Sequence, residues 1–184
     1  MTKAEGKKTL FLDRDGVVNV APEIADGRAG SPKNIGEFIL TENVVDFSHL
    51  AVGMGYQIII FTNQPEVARG NFKVDDMLEI EAYCRCELPI VDYFACFHDD
   101  ADGCDCRKPK PGMLTMAAEK WNINLADSVV IGDRDKDVKA GAAVGAFSIL
   151  LENKFYNRNN CTADAYVTDI TASARYLREN SRED

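Results

Sequence analysis

No apolar run in this 184-residue chain approaches the roughly 20 residues of a membrane span. The start, Met1–Lys8, is polar, and no apolar signal core follows it. We therefore expect a cytoplasmic protein that neither crosses nor coats a membrane. Cationic residues are in the minority: 21 Lys and Arg face 30 Asp and Glu, a net charge of −9. No basic stripe offsets this, which argues against nucleic acid as a partner and against anionic membrane surfaces. An anionic substrate would need a local positive cluster or bound metal ions to overcome that background. There is no Gly-x-x-x-x-Gly-Lys-[Ser/Thr] loop, which argues against a kinase. No internal repeat or low-complexity tract is evident, and the length suits one domain over residues 1–184, with loose ends at 1–7 and 178–184. We expect a monomer.

Apolar residues make up 46% of the chain, enough for a sizeable core. They fall in short runs: Thr9–Leu12, Tyr56–Phe61, Ile90–Phe97, Ser128–Ile131 and Ala146–Leu151, with a weaker one at Ala165–Val167. Such runs suit strands buried on both faces. Between them the spacing is helical. Val44, Phe47, Leu50, Ala51 and Met54 share a face before Gly55. A second stretch covers Val74–Glu87, ahead of Pro89. Pro111 opens a third, with Leu114, Ala117, Ala118 and Trp121, and Asp135–Val144 is a small Ala/Gly-rich fourth. Alternating strand and helix predicts an α/β fold: a doubly wound, Rossmann-like parallel sheet with helices on both faces and right-handed crossovers.

Ligands of such a sheet bind beyond the carboxyl ends of its strands. Each strong run here stops at a polar cluster: Asp13-Arg14-Asp15-Gly16, Thr62-Asn63-Gln64, His98 with a Cys/Asp loop, and Gly132-Asp133-Arg134-Asp135-Lys136-Asp137. The strand pattern sends these clusters to one rim. Carboxylates gathered there repel unless a hard cation sits between them, and oxygen ligands with open positions suit Mg²⁺. A carboxylate beside Mg²⁺ can attack phosphorus, and a second acid two residues along can protonate the leaving oxygen. Lysine and threonine can hold the equatorial oxygens. Taken singly, each cluster is also an ordinary turn or helix start. Their joint occurrence in this order is what carries specificity.

Those clusters resemble the four ordered motifs of the haloacid dehalogenase (HAD) superfamily phosphatases. Phe11-Leu12-Asp13-Arg14-Asp15-Gly16-Val17-Val18-Asn19 is similar to the first, Thr62-Asn63-Gln64 to the second, Cys106-Arg107-Lys108-Pro109-Lys110-Pro111-Gly112 to the third, and Gly132–Asp137 to the fourth. Within the superfamily the chain most resembles the D-glycero-D-manno-heptose 1,7-bisphosphate 7-phosphatases and the histidinol-phosphatase domain. The resemblance implies Asp13 as nucleophile and Mg²⁺ ligand. It implies Asp15 as general acid/base, with its main-chain oxygen on Mg²⁺, and Asp133 as the third protein ligand. Thr62 and Lys108 would stabilise the transferring phosphoryl group, Asn63, Arg107 and Arg134 would line the substrate site, and Asp137 would orient Lys108. The implied reaction is Mg²⁺-dependent hydrolysis of a small phosphorylated sugar through an aspartyl-phosphate, in heptose (lipopolysaccharide or capsule) biosynthesis.

The six cysteines include a tight group. Cys96, His98, Cys104 and Cys106 form three Cys and one His, a complete tetrahedral set for structural Zn²⁺ with no open position. A reducing compartment argues against a disulfide. The loop between them is Asp- and Gly-rich with no apolar core, so zinc would fix it and aim Arg107 and Lys108, which follow directly. Cys84 and Cys86, on different faces of a helix, read as structural or exposed. Cys161 reads as a loop residue, His49 as solvated or at the edge of the core, and Trp121 as packing at a helix end.

Substrate signals are mixed. Pro111-Gly112-Met113-Leu114 is more similar to the heptose phosphatases, while the short spacer inside the cysteine loop resembles the histidinol-phosphatase arrangement. We favour the heptose bisphosphate. Residues 20–33 depart from the usual loop after the first motif, and Pro65-Glu66-Val67 replaces a more usual Ser-Gly-Ile. Rim loops carry specificity, so both departures bear on the sugar and its anomer. No large cap domain fits between Asn63 and Arg107. A polynucleotide 3′-phosphatase and a non-catalytic zinc module are the less favoured alternatives.

Overall fold

The computed structural model describes residues 6–25, 27–156 and 161–181. Six strands, β1 (Thr9–Leu12), β2 (Gln57–Asn63), β3 (Ile90–Cys96), β4 (Val129–Gly132), β5 (Phe147–Leu151) and β6 (Ala165–Val167), form one parallel sheet in the order β3-β2-β1-β4-β5-β6. Among the described residues five α-helices cover it: α1 (Val44–Gly53), α2 (Val74–Glu87), α3 (Gly112–Trp121), α4 (Asp135–Ala142) and α5 (Ala174–Ser181). No large cap is inserted, and among the described residues no helix is long and apolar enough to cross a membrane.

The strands are apolar on both faces because both faces are covered. Leu10, Leu12, Ile58 and Ile60 pack with Val44, Phe47, Met77, Ile80 and Leu177 of α1, α2 and α5. Phe11, Ile59 and Phe61 pack with Met113, Leu114 and Ala117 of α3 and Ala140 of α4. Each buried side chain of this size is worth roughly 1.5–3 kcal/mol. The helix ends follow local chemistry. Gly55, at φ +87°, takes the left-handed position just after α1. Asp75 and Asp76 sit in the first turn of α2, where the helix dipole favours negative charge.

Several element ends shift by one or two residues from the sequence reading, and three of the differences have a clear cause. β2 runs on through Thr62 and Asn63, because they pair with Ala95 and Cys96 of β3. Lys7 is tied in, its amide donating to Asn122 O at 2.9 Å while its carbonyl accepts from Asn124 N at 3.1 Å. The charged tail, read as a loose end from residue 178, is helical through Ser181, held by fully buried Leu177. Residues 1–5 and 182–184 of the expected loose ends lie outside the described residues.

β3 is locked to both helical layers through Asp92. Its Oδ2 accepts from Lys120 Nζ (2.7 Å) and Trp121 Nε1 (2.8 Å) of α3, and its Oδ1 accepts from Tyr93 N (2.9 Å) and Arg85 of α2 (3.1 Å). Trp121 at the end of α3 is thus hydrogen-bonded as well as packed. Burial alone would raise the Asp92 pKa, but these donors outweigh it and lower it to about 2.

Candidate active site

The strand order reverses between β1 and β4, and at such a switch point two neighbouring strands open a crevice beyond their carboxyl ends. Asp13 leaves β1 there, its amide donating to Ile131 O of β4 at 2.9 Å. Asp133 leaves β4 beside it, and Asp137 comes from the first turn of α4. Asp13, Asp133 and Asp137 each bring a carboxylate oxygen within 4.8 Å of the others, all three residues being buried. Lys108, from the loop before α3, is the cation among them. Its Nζ donates to Asp13 Oδ1 at 2.7 Å and to Phe61 O at 3.0 Å, and lies 2.6 Å from Asp137 Oδ1. An ammonium has three protons, and three acceptors here surround it.

One ammonium does not balance three carboxylates. Burial, then the Asp137 charge, raise Asp13 to about 6 against the pull of Lys108. Burial, then Asp13 and Asp137, raise Asp133 well above the ordinary carboxylate range. Burial opposes the charge on Lys108, yet its two carboxylate neighbours hold its pKa up. The buried Asp133 Oδ1 has no hydrogen-bond partner; the Arg134 Nε is 3.7 Å away. An oxygen-only cluster with an excess of about two negative charges and an unpartnered lone-pair atom fits a hard divalent cation such as Mg²⁺. Asp137 is the least free of the three, since Lys108 and Arg134 N (3.0 Å to Oδ2) hold its oxygens.

The Asp15 carboxylate stands apart from that cluster. Arg14, with 0% exposure, grips it through Nε at 3.0 Å and Nη2 at 3.1 Å. Ser31 Oγ (2.6 Å) and Gln64 Nε2 (2.8 Å) also donate to its Oδ2. Burial would raise its pKa, but the guanidinium and these donors lower it. Thr62 is buried, its Oγ1 accepting from Gln64 Nε2 at 2.9 Å. Asn63 lies on the cavity wall, with both ends of its amide committed to Lys108: Nδ2 donates to the carbonyl (3.0 Å) and Oδ1 accepts from the amide (3.1 Å). In this geometry Asn63 fixes the lysine rather than presenting a free amide to substrate.

A cavity of about 720 Å³ opens above Asp13, Thr62 and Lys108, within the range of small-molecule sites. The 20–33 segment forms one wall through Ile24, Arg28 and Ser31, and Arg107, Arg134 and Lys136 form another. The local positive cluster that an acidic chain would need for an anionic ligand is therefore present. Lys136 was not singled out from sequence. Burial and the neighbouring Arg134 and Arg107 lower its pKa, and among the described residues no carboxylate lies within ion-pair distance. Ser31, Gln64 and Asn153 were also missed. Asn153 Nδ2 donates to Asp133 at both Oδ2 (3.0 Å) and the main-chain oxygen (3.2 Å).

The cysteine loop comes together as the spacing predicts. Cys96, His98, Cys104 and Cys106 present one ligand atom each, all within 4.8 Å of one another. The sulfur separations are 3.3, 3.5 and 3.7 Å, and His98 Nδ1 lies 3.3 and 3.6 Å from Cys106 and Cys96. A disulfide needs about 2.0 Å, whereas a tetrahedron of roughly 2.3 Å Zn–S bonds has edges near 3.8 Å. The donors fit Zn²⁺, with Nδ1 as the imidazole ligand. Gly112, at the start of α3, lets the helix sit against this loop; a Cβ there would lie 2.2 Å from Asp105 O. Arg107 donates to Asp100 Oδ1 (2.7 Å) and His98 O (3.3 Å), so the loop aims it into the cavity. Cys84 is buried in α2, and Cys86, like His49, is exposed. Cys161 is a partly buried loop residue.

Comparison with known proteins converges on one family. The HAD-hydrolase-like family model matches residues 105–176. The D-glycero-beta-D-manno-heptose-1,7-bisphosphate 7-phosphatase of Haemophilus influenzae is 34% identical over 145 residues, 73% of this chain and 75% of that protein. The D-glycero-alpha-D-manno-heptose-1,7-bisphosphate 7-phosphatase of Campylobacter jejuni is 30% identical over 152 residues, 80% and 83% of the two chains. Among solved structures, the D,D-heptose 1,7-bisphosphate phosphatase from B. bronchiseptica, complexed with magnesium and phosphate, superposes with a TM-score of 0.78 at 27% identity, covering 94% of this chain and 98% of that one.

Proposed function

The chain belongs to the D-glycero-D-manno-heptose-1,7-bisphosphate 7-phosphatase family of the HAD-like hydrolases, and we propose that it removes the 7-phosphate of that sugar bisphosphate in heptose biosynthesis. The observation that carries this reading is the buried Lys108–Asp13 pair, 2.7 Å apart at the floor of a cation-lined cavity. A carboxylate held that way is poised for attack on a phosphoryl group rather than for holding a fold together. Asp13, Asp133 and the main-chain oxygen of Asp15 would hold Mg²⁺, which when bound supplies charge neutralisation for the phosphate. Cys96, His98, Cys104 and Cys106 would hold Zn²⁺ as a purely structural clamp.

The residues then divide the work. An Asp13 carboxylate oxygen attacks phosphorus, the P–O ester bond breaks, and Asp15 gives its proton to the leaving sugar oxygen. In the second half, Asp15 takes a proton from water, the water oxygen attacks phosphorus, and the bond to Asp13 breaks to release inorganic phosphate. The observed Asp15, held ionised by Arg14, is in the form that accepts the proton from water; donation to the sugar oxygen requires the Arg14 contact to loosen. Thr62 and Lys108 steady the phosphoryl oxygens. Arg107, Arg134 and Lys136 face the distal phosphate, and the 20–33 wall shapes the sugar site. We infer a small soluble ester as substrate, and propose that a cytoplasmic monomer hydrolyses it without a nucleic-acid or membrane partner.

A phosphate-release panel with Mg²⁺ tests this: both heptose bisphosphate anomers, histidinol phosphate, and a 3′-phosphorylated oligonucleotide. The heptose bisphosphates should give the highest kcat/KM, and Lys136→Gln should raise their KM about 3- to 10-fold with little effect on kcat, the loss of one partly exposed charge contact. Preferential turnover of histidinol phosphate or the oligonucleotide would sink the substrate assignment.

A further inference from the structure

Asn153 stands two residues beyond β5, the fifth strand to end on the catalytic rim, in the stretch 152–156. Its amide orientation is fixed by its own contacts: Oδ1 accepts from Phe155 N at 2.7 Å, so Nδ2 is the end that faces Asp133. Nδ2 donates to the same residue at two atoms, Oδ2 (3.0 Å) and the main-chain oxygen (3.2 Å). Gly16 crowds the same oxygen. A Cβ at Gly16 would come within 2.2 Å of Asp133 Oδ2, so only glycine, at φ +95°, fits there. Oδ2 is thus engaged by Asn153 and crowded by Gly16, while Oδ1 is left buried without a hydrogen-bond partner, 3.7 Å from Arg134 Nε, in a residue that brings a carboxylate oxygen within 4.8 Å of those of Asp13 and Asp137.

We propose that Asn153 is a positioning residue for the catalytic divalent cation: by occupying Oδ2 and the main-chain oxygen of Asp133, it turns Oδ1 toward Asp13 as the open ligand atom. This rests on the cation site of the proposed function and is independent of which ester is hydrolysed. Residues that orient a ligand typically shift metal affinity by about 10- to 100-fold when removed. They do so without touching substrate, which separates this role from that of the cavity cations.

The test is Mg²⁺ titration of the full chain by calorimetry, with no substrate present. Asn153→Ala should raise the Mg²⁺ dissociation constant about 10-fold or more. In turnover it should raise the Mg²⁺ concentration for half-maximal rate in parallel, while kcat at saturating Mg²⁺ stays within about 3-fold. Lys154→Ala is the control: it removes the 2.5 Å pair with Glu23 from the same stretch and should leave Mg²⁺ affinity unchanged. If Asn153→Ala does not fold, Asn153→Leu keeps the volume, removes the donors and carries the same expectation. Unchanged Mg²⁺ affinity in the Asn153 variant, or an equal loss in Lys154→Ala, overturns the proposal. A wild-type chain that binds no Mg²⁺ overturns both this and the cation reading, whereas substrate failure with intact Mg²⁺ binding overturns only the heptose assignment.

Discussion

The carboxylate centre and the cysteine loop both gather four side chains, yet they are assembled in opposite ways. Asp13, Lys108 and the Asp133/Asp137 pair come from three distant stretches of the chain, after β1, before α3 and at the β4–α4 junction, and meet because the parallel sheet sends those stretches to one rim. Their scaffold is the apolar sheet itself. Cys96 ends β3, and His98, Cys104 and Cys106 follow in one short loop whose acidic residues are half-buried or exposed. What holds that loop in place is a set of polar ties: Arg69 to Asp99 (2.6 Å), Arg107 to Asp100 (2.7 Å), and Lys110 to the carbonyls of Gly103 and Cys104 (2.9 and 2.8 Å). Exposed ion pairs of this kind are worth little, typically under 1 kcal/mol. The difference teaches that folding of the sheet itself delivers the first site, whereas the second has little apolar packing of its own and would gain order from the metal it fits.

The sharpest break of this contrast is at the nucleophile. Asp13→Asn should lower kcat by at least about 10³-fold while leaving the thermal midpoint and zinc content of the chain close to wild type. Turnover retained by that variant would overturn the nucleophile assignment. Next in size, stripping zinc with a chelator, or Cys106→Ser, should expose the amides of 96–107 in hydrogen-exchange measurements. Activity should fall about 10- to 100-fold because Arg107 and Lys108 lose their aim, with Mg²⁺ binding preserved. Full activity after verified zinc removal would show that the sheet alone places those cations. The smallest effect concerns Asp92, which pins the strand that carries the loop. Its folded pKa, about 2, lies below the ordinary 3.8, so its stabilisation is complete above that value and fades as pH falls toward 2. Asp92→Asn should therefore lower the thermal midpoint at pH 7 by several degrees, on a scale of about 2–4 °C per kcal/mol. The gap to wild type should narrow in acid, and a gap that is constant with pH would remove the charge from the explanation.

How much of this was legible beforehand follows the same division. The strands were readable because β-branched and aromatic runs such as Ile58–Phe61 have nowhere to go but a doubly covered sheet. The zinc-type cluster was readable because all of its information is local. Asp13, Asp15 and Asp133 stood out because their acidic clusters directly follow apolar runs that a parallel sheet sends to one rim, and Lys108 stood out through the resemblance of Cys106–Gly112 to the third motif. Asn153, Ser31 and Gln64 were not readable, since each matters only through the carboxylate it touches, and that contact exists only once the strand order is known. The exit of β5 did offer a signal, as the one strong run whose following residues went unread. Residues 178–181 misled for a different reason: a polar, charged helix held by Ala174 and Leu177 shows too little apolar periodicity to be told from a tail.

Arg14 carries a consequence for anyone wishing to block this protein. Its guanidinium lies beneath the cavity floor, shielded by Tyr93 and Met77, so no soluble inhibitor can engage it without prising the floor open. A compound that recruits Arg107, Arg134 and Lys136 instead would meet groups lining the open chamber, and a dianionic headgroup on a compact polar frame is the natural starting design.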